Sequence, residues 1–85
     1  MEFTTKGWNQ KQPTQRMTEG KVDLTIWERI THNGSYFTAT IKKRYWQNGE
    51  WKYTPSLKKH DIKDAIYLLE KALRRIEEAE EVIIL

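Results

Sequence analysis

The chain predicts an α+β fold: an antiparallel β-meander of three to four strands, then one long C-terminal α-helix that pairs two copies into a dimer. Three observations predict it. Apolar and polar residues alternate from Lys21 to about Lys58, and Asn-Gly pairs punctuate that stretch twice. After His60 the apolar period changes to about 3.6, that of a helix.

Residues 1–20 are mostly Thr, Gln, Lys, Asn and Gly, with Pro13 and only Phe3, Trp8 and Met17 as large apolar groups. They lack periodicity and read as a flexible polar arm, with room for a short strand near Phe3 to Trp8. From Lys21, Val22, Leu24, Ile26 and Ile30 alternate with Asp23, Thr25, Trp27 and Arg29, while Glu28 interrupts the apolar row. His32-Asn33-Gly34-Ser35 is the first hairpin signal, because an Asn-Gly pair supplies the two φ > 0 positions of a tight turn. The following strand, Tyr36 to Gln47, alternates Phe37, Ala39, Ile41 and Tyr45 with Tyr36, Thr38, Thr40, Lys42, Arg44 and Trp46. A two-residue loop at Asn33-Gly34 would pair Ile30 with Phe37, Glu28 with Ala39, Ile26 with Ile41 and Val22 with Tyr45. On the other face it would set Arg29 beside Thr38, Trp27 beside Thr40 and Thr25 beside Lys42.

The second turn lies in Trp46-Gln47-Asn48-Gly49-Glu50-Trp51 and pairs Trp46 with Trp51, Arg44 with Tyr53 and Lys42 with Pro55. Pro55 has no ladder donor, so this third strand is an edge or carries a bulge; Leu57 would point to the polar face unless a bulge reverses the alternation. In the helix Asp61 is the expected N-cap, with Asp64 at N3. Ile62, Ile66, Leu69, Leu73 and Ile76 make one apolar stripe, and Ala65, Leu68, Ala72 and Ala79 a second, smaller face. A single helix under a small sheet leaves little core, so the second face, with Ile83 and Leu85 of the final Val82-Ile83-Ile84-Leu85, is the expected homodimer interface. The expected division is an arm over 1–20, a sheet-and-helix domain over 21–81, and an apolar tail over 82–85.

Eighty-five residues make one small domain. With no cysteine, a disulfide framework and a Cys-based zinc site are excluded. No apolar run reaches spanning length, and the N-terminus lacks the charged-then-apolar layout of a signal peptide, so the expectation is a soluble cytoplasmic protein away from the membrane. The net charge of +3 conceals an asymmetry. Residues 1–60 hold eleven Lys/Arg against five Asp/Glu, and residues 61–85 hold four against seven. A basic half beside an acidic half suits a polyanion-binding surface kept apart from a structural helix.

The polar sheet face collects Trp27, Arg29, Tyr36, Lys42, Arg44, Trp46, Trp51 and Tyr53, and Lys43 and Lys52 lie beside them in the chain. Cations track phosphates and aromatic faces stack bases, the two components single-strand binding needs. The bland alternative is a set of cross-strand pairs stabilising an exposed sheet. His32 and His60 sit at a turn and a helix start, without metal-ligand spacing. There is no Gly-rich phosphate loop and no nucleophile–base arrangement, so neither catalysis, a small-molecule substrate nor a cofactor is expected. The expected function is binding of single-stranded nucleic acid, DNA foremost, with RNA an acceptable ligand for the same stacking surface. The alternative is a protein-interaction accessory factor of transcription or replication, using a sheet edge or the apolar tail.

Lys43-Arg44-Tyr45-Trp46, the Gly-Glu turn after it, and the basic strand running into a helix resemble the single-stranded-DNA-binding fold of the transcriptional positive cofactor four family, related in architecture to the whirly proteins. The likeness covers about Lys21 to Ile76. It implies that Trp46 stacks on a base, that Lys43 is the basic residue three positions before it, and that helices pack at a dimer interface with DNA crossing the opposed sheets. Near Arg29 and Ile30 this chain lacks the family's Phe, and Trp27 is the aromatic residue nearby. Ile26-Trp27-Glu28, Asn33-Gly34 and Gly49-Glu50-Trp51-Lys52 also look like a group of small microbial proteins of unassigned function.

Overall fold

In the computed structural model, which describes residues 10–84 and the side chains of 12–80, a four-stranded antiparallel sheet is followed by one helix. The strands are β1 (Gln10–Glu19), β2 (Val22–Thr31), β3 (Gly34–Gln47) and β4 (Glu50–Thr54), in sheet order β1-β2-β3-β4. The helix, α1, spans Lys59–Ile84. Each strand lies beside its sequence neighbour, so the sheet is a meander.

The first strand corrects the expectation of a flexible arm over 1–20. Residues 10–19 pair along β2, from Gln10 opposite Ile30 to Glu19 opposite Val22. Pro13 is tolerated because β1 is an edge strand, and the register shifts between Pro13 and Gln15. Thr14 is the extra residue of that bulge, and its hydroxyl donates to the Ile26 carbonyl (3.2 Å). Gly20-Lys21 closes the hairpin, with Gly20 at φ +60°. Phe3 and Trp8 lie outside the described residues.

The second hairpin differs from the sequence expectation by a two-residue slip. Its loop is His32-Asn33, with Thr31 opposite Gly34, so Ile30 faces Ser35, Glu28 faces Phe37, Ile26 faces Ala39 and Leu24 faces Ile41. Thr31 organises this loop: its hydroxyl accepts from the Asn33 N–H (3.3 Å) and donates to the Gly34 carbonyl (2.9 Å). A slip of two leaves every side chain on its expected face, because the strand repeat is two. At the third hairpin the loop is Asn48-Gly49 with φ +52° and +80°, and Trp46 opposite Trp51 and Arg44 opposite Tyr53 are as expected. The strand stops at Thr54, so Pro55 has no partner in the ladder. Leu57 follows the strand and packs against the core, not on the polar face.

The core is thin. Met17, Val22, Leu24 and Ile26 from the sheet meet Ala65, Leu68 and Ala72 from α1, with Phe37, Ile41, Leu57 and Ile76 at the margins. This corrects the expected use of the helix. Ala65, Leu68 and Ala72, expected at a dimer interface, are buried against the chain's own sheet, and Ala79 is half-buried beside them. Small alanines let the helix backbone approach β2, whose Val22, Leu24 and Ile26 fill the space between layers. The larger stripe of Ile62, Ile66, Leu69 and Leu73 is left 46–57% exposed. The helix backbone continues to Ile84, so Val82 to Ile84 are helical and not a separate tail; the side chains of Ile83 and Leu85, also expected at the interface, lie outside the described ones.

The helix also starts earlier than expected. The Lys58 carbonyl accepts the first helical bond, from Ile62 N–H (2.9 Å), which makes Lys58 the N-cap and Asp61 N3. The Asp61 carboxylate reaches back to the Lys58 N–H (2.9 Å), one half of a capping box.

Candidate nucleic-acid interface

Alternate residues of β2 and β3 leave the sheet on opposite sides, and the buried row Val22, Leu24 and Ile26 marks the side under the helix. The other side is the outer face. It carries Trp27 and Arg29 from β2, Tyr36, Lys42, Arg44 and Trp46 from β3, and Trp51 and Tyr53 from β4. Eight of the ten residues expected at a nucleic-acid surface are thus brought onto one face, away from α1.

Two are not. Lys43 lies opposite Val22 on the helix side, where its Nζ binds the Asp61 carboxylate at 2.7 Å with both side chains largely buried. The role that adjacency and family resemblance assigned to Lys43 is therefore corrected: strand alternation turns it inward, where it ties β3 to the start of α1. Lys52 lies opposite Tyr45 on the same inner side, its Nζ 3.9 Å from Glu50.

The Asp61 carboxyl is held below its ordinary value of 3.8, first by the hydrogen bond from Lys43 and then by the Lys58 N–H. It is a structural anion.

On the outer face, Tyr36, Trp46, Trp51 and Tyr53 are 54–60% exposed. The Trp46 and Trp51 rings meet edge to face, centroids 5.2 Å apart at 77°. Lys42 Nζ stands 4.0 Å over the Tyr53 ring, which keeps the ammonium beside an aromatic surface and still open to an anion. Trp27 is half-buried, and its indole N–H donates to Thr40 Oγ1 (2.8 Å), tying the side chain from β2 to β3. Arg44 donates to Asp23 Oδ1 (3.1 Å) and to the Gly20 carbonyl (3.4 Å), so this cation is partly neutralised. Arg29 Nε and Thr38 Oγ1, on the same face, are buried with no hydrogen-bond partner among the described residues.

Sequence reasoning missed the contribution of β1. Arg16 lies opposite Thr25 and Thr18 opposite Asp23, both on the outer face. A groove of about 380 Å³ runs between Arg16, Thr25, Trp27, Lys42, Arg44 and Tyr53. The signal was Glu19-Gly20-Lys21-Val22, a Gly-led two-residue loop before an alternating strand, with Met17 as the single inward apolar residue.

Comparison with protein families, curated proteins and solved structures gives no match for this chain.

Proposed function

We propose that the outer face of the sheet binds single-stranded nucleic acid, DNA foremost, largely without regard to sequence. The observation that carries this reading is the gathering of exposed Trp46, Trp51, Tyr36 and Tyr53 with Lys42, Arg29, Arg44 and Arg16 on the side the helix leaves bare. Four aromatic rings more than half exposed on one face make the kind of patch that marks an interaction site, one that a flat ligand can cover. Bases meet that requirement, because each has a π-face, and stacking contributes about 1–3 kcal/mol per base. Cations between the rings suit the phosphates between the bases. Lys42, Arg16 and Arg29 have no ion-pair partner among the described residues, and Arg44 would exchange Asp23 for phosphate at some cost.

The suggested likeness to the positive cofactor four fold points to the same ligand, and membership of that family is part of this proposal. The ligand class implies a cytoplasmic protein acting at exposed single strands, nucleoid-associated in a bacterium. No helix among the described residues is long and apolar enough to cross a membrane. Capture of a peptide strand at a sheet edge is less favoured: β1 carries Pro13 and a bulge, and β4 is only five residues long.

Titration with oligothymidine at low salt should quench tryptophan emission. Trp46→Ala and Trp51→Ala should each weaken binding about tenfold or more, in line with the loss of one stacked base. Unchanged emission at saturating oligonucleotide would refute the reading. Parallel titrations with duplex DNA and with RNA identify the preferred ligand.

A further inference from the structure

One acidic side chain stands among the cations of the outer face. Among the described residues of the strands, Glu19, Glu28 and Glu50 lie on the helix side, and Asp23 is the acid that shares the outer side with Arg16, Lys42 and Arg44. On a surface that held nothing but phosphates, a carboxylate in that place would weaken binding.

The attachments of Asp23 are one-sided. Thr18 Oγ1 donates to its Oδ1 (2.8 Å), and Arg44 donates to the same oxygen (3.1 Å). Oδ2 accepts no hydrogen bond among the described residues, although the side chain is only 22% exposed. A carboxylate accepts at both oxygens and donates at neither, so half of Asp23 is pinned and half is left for a ligand.

That half borders the groove of about 380 Å³. The next outward residues of β2 are Thr25 and Trp27, and Thr40 stands opposite Thr25. Two short hydroxyl side chains therefore floor a depression between a carboxylate and an indole, which lie about 13 Å apart along the strand. Thr40 Oγ1 accepts from the Trp27 indole N–H (2.8 Å), so its own proton is left to donate. The carboxylate row and the threonine row are about 7 Å apart, the scale of a single pyrimidine ring with its exocyclic groups. Arg16 and Lys42 edge the same groove, where the phosphates flanking such a base would lie.

Base chemistry selects the occupant. Cytosine sets its N4 amino group beside the N3 acceptor, and adenine sets N6 beside N1 in the same way. Thymine and uracil carry an oxygen in place of that amino group, and a carboxylate repels it. We infer that this groove reads one base of the bound strand: Asp23 accepts from the amino group of cytosine or adenine, Thr40 donates to the neighbouring ring nitrogen, and thymine and uracil are disfavoured. The inference rests on the single-strand reading of the outer face, and it adds a preference at one base to stacking that elsewhere ignores sequence. So long as Arg44 holds Asp23 in place, the adjoining phosphates fall to Arg16 and Lys42.

Tryptophan emission tests it on the full chain, titrated at neutral pH and low salt with oligodeoxycytidine and oligothymidine of equal length. The cytosine strand should bind about tenfold more tightly. A strand built from the pyrimidinone that is cytosine without its amino group should lose that advantage, and this comparison needs no variant. Asp23→Asn keeps the side chain's shape but puts an amide where the carboxylate stood. It should abolish the preference while binding oligothymidine no more weakly than the wild type, with far-UV circular dichroism to follow its fold. Equal affinities for the cytosine and thymine strands overturn the inference and leave single-strand binding standing. A preference that survives in Asp23→Asn or with the pyrimidinone strand overturns it as well. Emission unmoved by either natural strand removes the inference and the single-strand reading together.

Discussion

Lys42 and Lys43 are neighbours in the chain with unlike surroundings, because successive residues of a strand leave the sheet on opposite faces. Lys42 stands over Tyr53 on the outer face, and Lys43 is spent on Asp61 beneath it. Lys42→Ala is therefore expected to weaken single-strand binding several-fold and to flatten the dependence of log K on log salt by about 0.7, the loss of one phosphate contact. Lys43→Met should leave that slope unchanged and lower the melting temperature instead; salt titrations and thermal melts on both variants distinguish them. Asp61 adds a pH dependence. Its carboxyl is held low in the folded chain by Lys43 and then by the Lys58 N–H, so its stabilisation is present above the unfolded value of 3.8 and is lost as pH falls through the lower, folded value. Asp61→Asn should thus be less stable than the wild type at neutral pH, and the gap should close in acid. Urea titrations on either side of the aspartate range measure it.

At the scale of elements, the turns and the helix show which local signals are decisive. Asn48-Gly49 takes the positive φ angles its sequence announces, whereas Asn33-Gly34 does not form the expected loop. The hydrophobic pattern could not separate those two registers, since a slip of two residues preserves both faces, and the His32-Asn33 loop carries two hydrogen bonds to the Thr31 hydroxyl. The strand β1 was hidden for a similar reason: outside Met17 its residues are polar, Pro13 argues against a strand, and only an edge position with a bulge accommodates both. In α1, apolar bulk favoured the stripe of Ile62 to Ile76 as the larger face, and steric fit chose the alanines. Ala65→Leu should consequently cost about 1–3 kcal/mol by overpacking against β2, and Leu68→Ala about 2–5 kcal/mol by leaving a cavity. Denaturant unfolding reads both. A result in which Ala65→Leu stabilises the protein would mean that the helix packs on another face.

At the scale of the whole molecule, the chain is a slab, with Cα positions spanning 42 × 34 × 15 Å, and each of its large faces has one job. Among the described residues the inner face holds a seven-residue core and the largely buried Lys43–Asp61 pair, the outer face holds exposed rings and cations, and the flank of the helix holds the half-exposed stripe of Ile62, Ile66, Leu69 and Leu73. The outer face was legible in advance, because period-two alternation and the Asn48-Gly49 turn suffice to put Trp27, Arg44, Trp46, Trp51 and Tyr53 on one side. Arg16 was not, since it joins that face only once β1 is paired, and Lys43 stays off it because alternation turns it inward despite its place beside Lys42. What the amino-acid order determined alone was local: the alternating strands, the 3.6-residue period and the tightest turn, all consequences of backbone geometry acting over a few residues. Only the tertiary structure decided which helix face meets the sheet, that residues 10–19 pair with β2, and that Lys43 serves Asp61. The helix face and the ion pair depend on steric fit and charge pairing between groups far apart in the chain, whereas β1 pairs with its sequence neighbour and was hidden only because its own residues are polar and include Pro13.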